Sequence, residues 1–302
     1  MSTSPLLVQK KATFSGHRDC VYTLERSSER NHFYSAGGDG VVAKWDINNP
    51  DNGELVVRVP NSIYAIKKIE GHEHLLIGQN FEGLHLIDLA TKTEIRSLKI
   101  TNSQIFDIQT SDKYIFAACG DGEVVVLELN TFKIITKIKH SDKSARTIAV
   151  NPLVNEFVVG YSDYYIRVFS LEDFSLQKEW KAHNNSVFSL NFSPDYKFLL
   201  SGSRDAHLKI WNPWNHYESV SDIAAHMYAI NHAVFAPDGV HFASGSMDKS
   251  VKLWDTAEWK LLKVLDKSRH AGHATSVNKL LWLDSKTLVS TGDDKLIHLW
   301  EF

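Results

Sequence analysis

The sequence predicts an all-β fold, a seven-bladed β-propeller built from four-stranded antiparallel blades. Three observations predict it. A motif of the form apolar-Ser-Gly-Ser-x-Asp, followed by alternating residues that end in Trp, recurs seven times along the chain. Within each period apolar and polar residues alternate as strands require, and no stretch shows sustained helical periodicity. Turn signals sit where hairpins need them: Asp39-Gly40, Asp121-Gly122, Ser193-Pro194-Asp195 and Ala236-Pro237-Asp238-Gly239.

The copies run in order. The first reads SAGGDGVVAKWD at 35–46, preceded by VYTL and FYSA and followed by LVVRV. The second, IGQNFEGLHLID at 77–88, has lost most landmarks. The third and fourth, AACGDGEVVVLE at 117–128 and VGYSDYYIRVFS at 159–170, keep the Asp but not the Trp. The fifth, sixth and seventh are complete: SGSRDAHLKIWN at 201–212, SGSMDKSVKLWD at 244–255 and STGDDKLIHLWE at 290–301. Asp39, Asp121, Asp163, Asp205, Asp248 and Asp294 are separated by 82, 42, 42, 43 and 46 residues, the first gap being two periods. A period of about 40 to 45 residues is what four short strands and their turns occupy.

Composition bounds the function. The 302 residues carry a formal net charge of −3, with 33 basic and 36 acidic side chains and no basic block, so direct binding of nucleic acid is not expected. No window approaches the roughly 18 apolar residues of a membrane helix, and residues 1–5 lead into no apolar signal core. Cys20 and Cys119 are too few for a disulfide framework. These features read as a soluble cytoplasmic protein.

Gly16-His17, Ala182-His183, Ala225-His226 and Gly272-His273, each followed by the Asp and Trp elements above, resemble the WD-repeat family over essentially all of residues 6–302. The resemblance implies one propeller spanning residues 1–302. It also implies how the ring closes. The last copy ends after its third strand at 296–301, and the strand-like segment 6–14 is expected to supply the missing outer strand. That pairing removes an exposed edge.

Four copies hold Ser, His and Asp together, the residue types of a nucleophile, its base and its orienting acid. They are His17, Ser35 and Asp39; His183, Ser201 and Asp205; His226, Ser244 and Asp248; and His273, Ser290 and Asp294. Each set also has a Trp six residues after the Asp: Trp45, Trp211, Trp254 and Trp300. The resemblance implies a structural tetrad, wired Trp to Ser to His to Asp, that satisfies buried polar groups. An active site built four times in one chain would be unusual, so no catalytic residue is assigned. Where Trp is missing the Ser is missing too, as Ile77 with Ile87, Ala117 with Leu127 and Val159 with Phe169. Removing donor and acceptor together costs little, whereas removing one strands the other. Asp121 and Asp163 are expected to persist because they shape a turn, and His140 is placed to pair with Asp163. Blades two to four, lacking the tetrad, are expected to be the softer arc.

Other motifs are set aside. His270 with His273, and His72 with His74, come with no clustered thiol or carboxylate, so no metal is assigned. Gly37-Gly38-Asp39-Gly40 has an Asp inside it and no helix after it, so it is no phosphate cradle. No cofactor is expected.

The resemblance also implies where a partner binds. The loops carrying the His and the Asp open on one face, the top. One partner-facing position per blade, near the start of the first strand, falls on Tyr22, Tyr64, Phe106, Arg146, Phe188, Asn231 and Asn278. Another, just before the Asp, falls on Gly38, Asn80, Gly120, Ser162, Arg204, Met247 and Asp293. Four aromatics and an Arg in the first set point to an interface, since such side chains dominate binding energy. The competing reading is that the rings merely fill the channel mouth. Arg146 and Arg204 favour an acidic or phosphorylated group on a peptide or protein partner. On the opposite face, Phe132, Phe174 and Trp259 recur at one repeat position and read as packing, whereas Trp214 and Tyr217 are the candidates for a bottom-face site. The expected function is a non-catalytic scaffold. An enzyme at the channel mouth would have only Asp293, Asn231 and Asn278 to work with, and a nucleic-acid-associated subunit would reveal itself by steep salt dependence.

Overall fold

A computed structural model describes residues 6–302; residues 1–5, where no signal core is read, lie outside the described residues. Seven four-stranded antiparallel sheets follow one another. In blade one the strands are Val21–Arg26, His32–Gly37, Val41–Asp46 and Glu54–Arg58, running from the inner edge outward. Six blades repeat this consecutive order. The seventh takes Val277–Asp284, Thr287–Gly292 and Ile297–Glu301 from the end of the chain and Gln9–Phe14 from its beginning. Gln9 pairs with Glu301 and Phe14 with Ile297, so the N-terminal strand closes the ring as its sequence suggested. Phe14 is fully buried against Phe33 and Trp45 of blade one, which couples the closing strand to the next blade.

Second and third strands are almost entirely buried and outer strands mostly exposed. Apolar clusters lie within and between adjacent sheets, as alternation on two-sided strands requires. Every first strand contains a β-bulge. The pairing skips one residue between Val21 and Thr23, Ile63 and Ala65, Ile105 and Asp107, Ala145 and Thr147, Val187 and Ser189, Ile230 and His232, and Val277 and Lys279. A bulge leaves its extra residue unpaired and re-aims the side chain. The seven skipped residues are Tyr22, Tyr64, Phe106, Arg146, Phe188, Asn231 and Asn278.

Candidate functional site

The bonding within the four tetrads decides whether their Ser residues are free for chemistry. In blade one the Trp45 indole N–H donates to Ser35 Oγ at 2.7 Å, His17 Nε2 lies 2.8 Å from the same oxygen, and His17 Nδ1 lies 3.1 Å from Asp39. Trp211, Ser201, His183 and Asp205 repeat this at 2.9, 2.8 and 3.1 Å. Trp254, Ser244, His226 and Asp248 do so at 2.9, 2.7 and 2.8 Å, and Trp300, Ser290, His273 and Asp294 at 2.8, 2.9 and 2.9 Å. With a neutral imidazole, Trp donates to Ser, Ser to His, and His to Asp, so every polar hydrogen has an acceptor. The Ser residues are fully buried. A nucleophile needs access and a base free to take its proton; these hydroxyls are enclosed and already shared.

The carboxylates do further structural work. Asp39, Asp121, Asp163, Asp205, Asp248 and Asp294 all accept the backbone N–H two residues on, from Val41, Glu123, Tyr165, His207, Ser250 and Leu296. This Asx turn is why blades three and four keep the Asp without the Trp. In the tetrad blades the carboxylate also accepts from Arg18, Asn184, Met227 and Ala274, tying the His loop to the turn. Burial opposes ionisation of Asp294, but His273 and these N–H groups hold its carboxyl down at about 2, and Asp39, Asp205 and Asp248 are likewise held below their ordinary value. Desolvation lowers His183 and His226 despite their Asp partners, which keeps them neutral.

Blades two to four differ in instructive ways. His140 does not pair with Asp163; it is exposed, its ring 5.4 Å from Phe169, and Arg167 reaches Asp163 at 2.8 Å instead. Arg167 also pairs with Glu179 and lies over Tyr161, a small ionic cluster where the tetrad would be. Asp121 takes the Thr101 hydroxyl at 2.7 Å. Asn80 is buried rather than partner-facing: its side chain donates to Ser62 and accepts from the Ile105 N–H of the next blade.

The top face is defined by its backbone. The turn residues Gly38, Asn80, Gly120, Ser162, Arg204, Met247 and Asp293 each donate an N–H to the loop before their own first strand, so both loop sets lie on one face. Inside that rim stand the seven bulge residues, all half-buried. Tyr22 meets Tyr64 edge-on at 4.7 Å between ring centres, and Tyr64 stacks on Phe106 at 5.7 Å. The Arg146 guanidinium carbon lies 3.7 Å from the centre of Phe106 and 4.6 Å from that of Phe188. Five blades thus share one continuous arc, and its chemistry is that of a cation held between two aromatic faces. Burial, with Arg204 nearby, lowers Arg146 to about 10, leaving it charged at neutral pH. Asn231 and Asn278 complete the collar differently: their amides donate to Ser276 and Val277 and to Val21 and Asp293, joining blades. Arg204 and Met247 are exposed at the rim, and Asp293 is half-buried.

Below the collar, side chains that follow the bulges tie each blade to the next. Asp107, Thr147, Ser189 and His232 each accept an N–H from the following blade, from Ile148, Leu190, Ala233 and Leu280. Glu25 lies 3.8 Å from Lys67, and burial raises Glu25 and Asp107 against the pull of Lys67 and Lys279. The sequence reading missed this charged belt, although its spacing of one and three residues beyond the collar position was available. The channel opens on the bottom face as a cavity of about 1330 Å³.

On that bottom face Phe132, Phe174 and Trp259 occupy left-handed turn positions (φ 61°, 60° and 56°) and turn their rings onto the blades. Tyr217 is also packing rather than a bottom-face site: it is 5% exposed, stacks on Trp180 and donates to Glu156. Trp214 is 56% exposed, held by a bond from its indole N–H to Tyr196 O. Among the described residues one set of side chains, His273, Asp294 and His298, is close enough to hold a metal. Both His273 nitrogens are engaged in the tetrad and His298 Nδ1 lies 3.1 Å from Thr13 Oγ1, so an ion would have to break those bonds. His72 and His74 simply stack.

Comparison with known proteins agrees with this architecture. A family model described as WD domain, G-beta repeat matches residues 8–46, 174–212, 217–255 and 259–301, each of which contains one tetrad. Over 203 residues, 64% of the chain, it is 24% identical to Protein groucho of Drosophila melanogaster and 24% identical to Transducin-like enhancer protein 2 of Mus musculus. The match spans 28% and 26% of those two proteins, so the chain covers about a quarter of the length of the curated relatives it matches. A crystal structure of the WD40 beta propeller domain of Doa1 superposes with a TM-score of 0.86 at 17% identity, covering 97% of both chains.

Proposed function

As the chain belongs to the WD domain, G-beta repeat family, whose propellers are typically protein-interaction scaffolds, we propose that it is a non-catalytic scaffold that binds a peptide or protein across its top face. Residues 1–302 act in this reading as one propeller unit. The observation that carries it is the collar. Seven bulges aim seven side chains at one opening, and a charged guanidinium stands there between two rings with no carboxylate partner among the described residues. A desolvated cation held in place before any ligand arrives is a receptor for an acidic or phosphorylated group, because the geometry needs no further ordering. The aromatic arc adds apolar area around it. The tetrads support the absence of catalysis, since their Ser, His and Asp side chains already serve one another.

The two free cysteines favour a reducing compartment such as the cytoplasm, and no helix among the described residues is long and apolar enough to cross a membrane. A net charge of −3 argues against a direct grip on nucleic acid. A second reading, docking on the bottom face, has one observation in its favour: exposed Trp214 donates its indole N–H to Tyr196, a residue that lines the cavity. Affinity purification from the native cell with wild-type and Phe106→Ala/Phe188→Ala baits tests the top-face proposal. The partner should be lost from the double variant at unchanged melting temperature. Full retention of the partner by that variant would refute it.

A further inference from the structure

Exposed apolar side chains are scattered over most of the molecule, but three of them gather on the top of blade six. Met227 is 82% exposed, Tyr228 62% and Met247 50%. Hydrogen bonds hold them side by side. The Met247 N–H donates to Ala229 O at 2.9 Å, and the Ser246 hydroxyl donates to Tyr228 O at 3.1 Å. The Met227 N–H donates to tetrad residue Asp248. The patch therefore stands on a rigid base, the tetrad of its own blade, rather than on a loose loop. It also abuts blade five: Ala206 O accepts the N–H groups of Ala225 and His226, which places the turn bearing Arg204 directly against the segment bearing Met227.

The charge around this patch is one-sided. Lys143, Arg146, Lys181, Arg204 and Lys249 lie on the top of blades four to six, and none has a carboxylate partner among the described residues. Of the acids of the same arc, Asp163 is paired with Arg167 and the exposed Asp142 with Lys139, while Asp205 and Asp248 keep their charge but bond their tetrad His, so the unpaired cations outnumber the acids that could offset them. Arg204 is close enough for its charge to act on Arg146. Unpaired cations spread over three blades match a run of carboxylates rather than one phosphate. Two methionines beside a tyrosine offer an adaptable apolar seat.

Resting on the top-face reading above, we propose that the partner is an Asp/Glu-rich segment carrying an apolar or aromatic side chain, its acidic run lying across Arg146 and Arg204 and its apolar side chain seated on Met227, Tyr228 and Met247. The two contacts sit on adjacent blades, so a single extended segment reaches both. Adjacent basic and apolar contacts also set its direction over the face. Met side chains re-pack around different shapes, so the seat accepts Phe, Leu or Ile and the specificity resides in the combination.

Selection of short random peptides displayed on phage against the immobilised full chain tests this. The enriched sequences should combine several Asp or Glu residues with one large apolar residue. Fluorescence anisotropy then compares a labelled enriched peptide with its apolar-to-Ser form. The wild type should prefer the apolar form about tenfold, the Met227→Ser/Met247→Ser variant should bind the two alike, and Arg146→Gln/Arg204→Gln should weaken both tenfold or more. Enrichment of basic, neutral or singly phosphorylated binders, or no enrichment, overturns the proposal, as does an apolar preference that survives in the Met double variant. Binding that ignores every top-face change but is lost in Trp214→Ala overturns the top-face reading itself. Acidic peptides lost with the Arg variant yet indifferent to the Met variant overturn only the apolar seat.

Discussion

Blades one, five, six and seven and blades two, three and four have the same four strands and the same bulge, yet different chemistry holds them. The first group carries a relay of four buried polar side chains from Trp to Asp. In the second, Ile77 and Ile87, Ala117 and Leu127, and Val159 and Phe169 occupy the Ser and Trp positions, all buried. Donor and acceptor left together, so no polar group is stranded at the exchange. What survives in both groups is the part that shapes the chain: the bulge, and, in every blade but the second, the Asx turn. The collar follows neither chemistry. Tyr64, Phe106 and Arg146, three of the five members of its continuous arc, come from blades without a tetrad. The chemistry of the blade body and that of the channel mouth are therefore independent.

The largest effect should come from breaking the ring that holds both groups. Deleting residues through Phe14 removes the outer strand of blade seven and uncovers Trp300 and Phe33, so the truncated protein should aggregate or melt far below the full chain. A melting curve that matches the full-length protein would contradict this closure.

The difference between the two groups of blades can be removed from either side. Ser201→Ala should cost about 1–3 kcal/mol, because it strands the Trp211 N–H and His183 together, and Trp211→Phe should cost a similar amount. The converse change, Ala117→Ser in blade three, should also destabilise by about 1–3 kcal/mol, since it buries a hydroxyl against aliphatic neighbours. Chemical denaturation measures all three, and a stabilising Ala117→Ser would show that the blade had kept the capacity for the relay. Ser201 should take no label from a serine-directed phosphonate; stoichiometric labelling would reopen the hydrolase reading.

Acid should separate the two groups. His183 and His226 are lowered in the folded protein, so the unfolded chain takes up their protons first and stability falls as pH drops below about 6.5. The lowered Asp205, Asp248 and Asp294 act in the same direction at lower pH: their contribution is complete above the unfolded value of about 3.9 and disappears as the folded carboxyls protonate. Hydrogen exchange at neutral pH should find blades two to four the less protected arc. At pH 5 the tetrad blades five and six should have lost more protection than blade three. An equal loss of protection in blades five and six and in blade three would contradict the assignment of the relay as the difference.

The smallest stability effect should be at the mouth. Phe188→Ala should weaken partner binding by about 1–2 kcal/mol while shifting the melting temperature little, because its ring is half-buried against Arg146 rather than in a core.

The repeat made the fold legible: seven copies in register fix the blade count, and a spare strand at one end with a missing one at the other fixes the closure. The tetrads were legible because their spacing is constant. The collar positions carried over from the repeat coincide with the seven bulges, and in blade two, where the motif has lost its landmarks, only the bulge fixes Tyr64. Other features depend on neighbours that the repeat does not fix. Nothing in the local sequence tells that Arg167 displaces His140 at Asp163, or that Asn80 turns inward to bond the next blade. Tyr217 and Trp214 are three residues apart on one loop, yet one is packing and the other is exposed, because Trp180 of the preceding blade receives only the first. Met227 and Tyr228 gave no signal, since exposure of apolar residues beside a motif His is a property of the assembled face.

In the proposed function the top face, at its cationic arc, is what this propeller presents to its partner. Once a partner has been isolated, its affinity for Arg146→Glu/Arg204→Glu should be compared with its affinity for Trp214→Ala, by titration calorimetry at matched melting temperature. Charge reversal should lower affinity at least tenfold, and Trp214→Ala should bind as the wild type does. Loss of the complex in Trp214→Ala, with the doubly reversed protein binding normally, would contradict the proposed function.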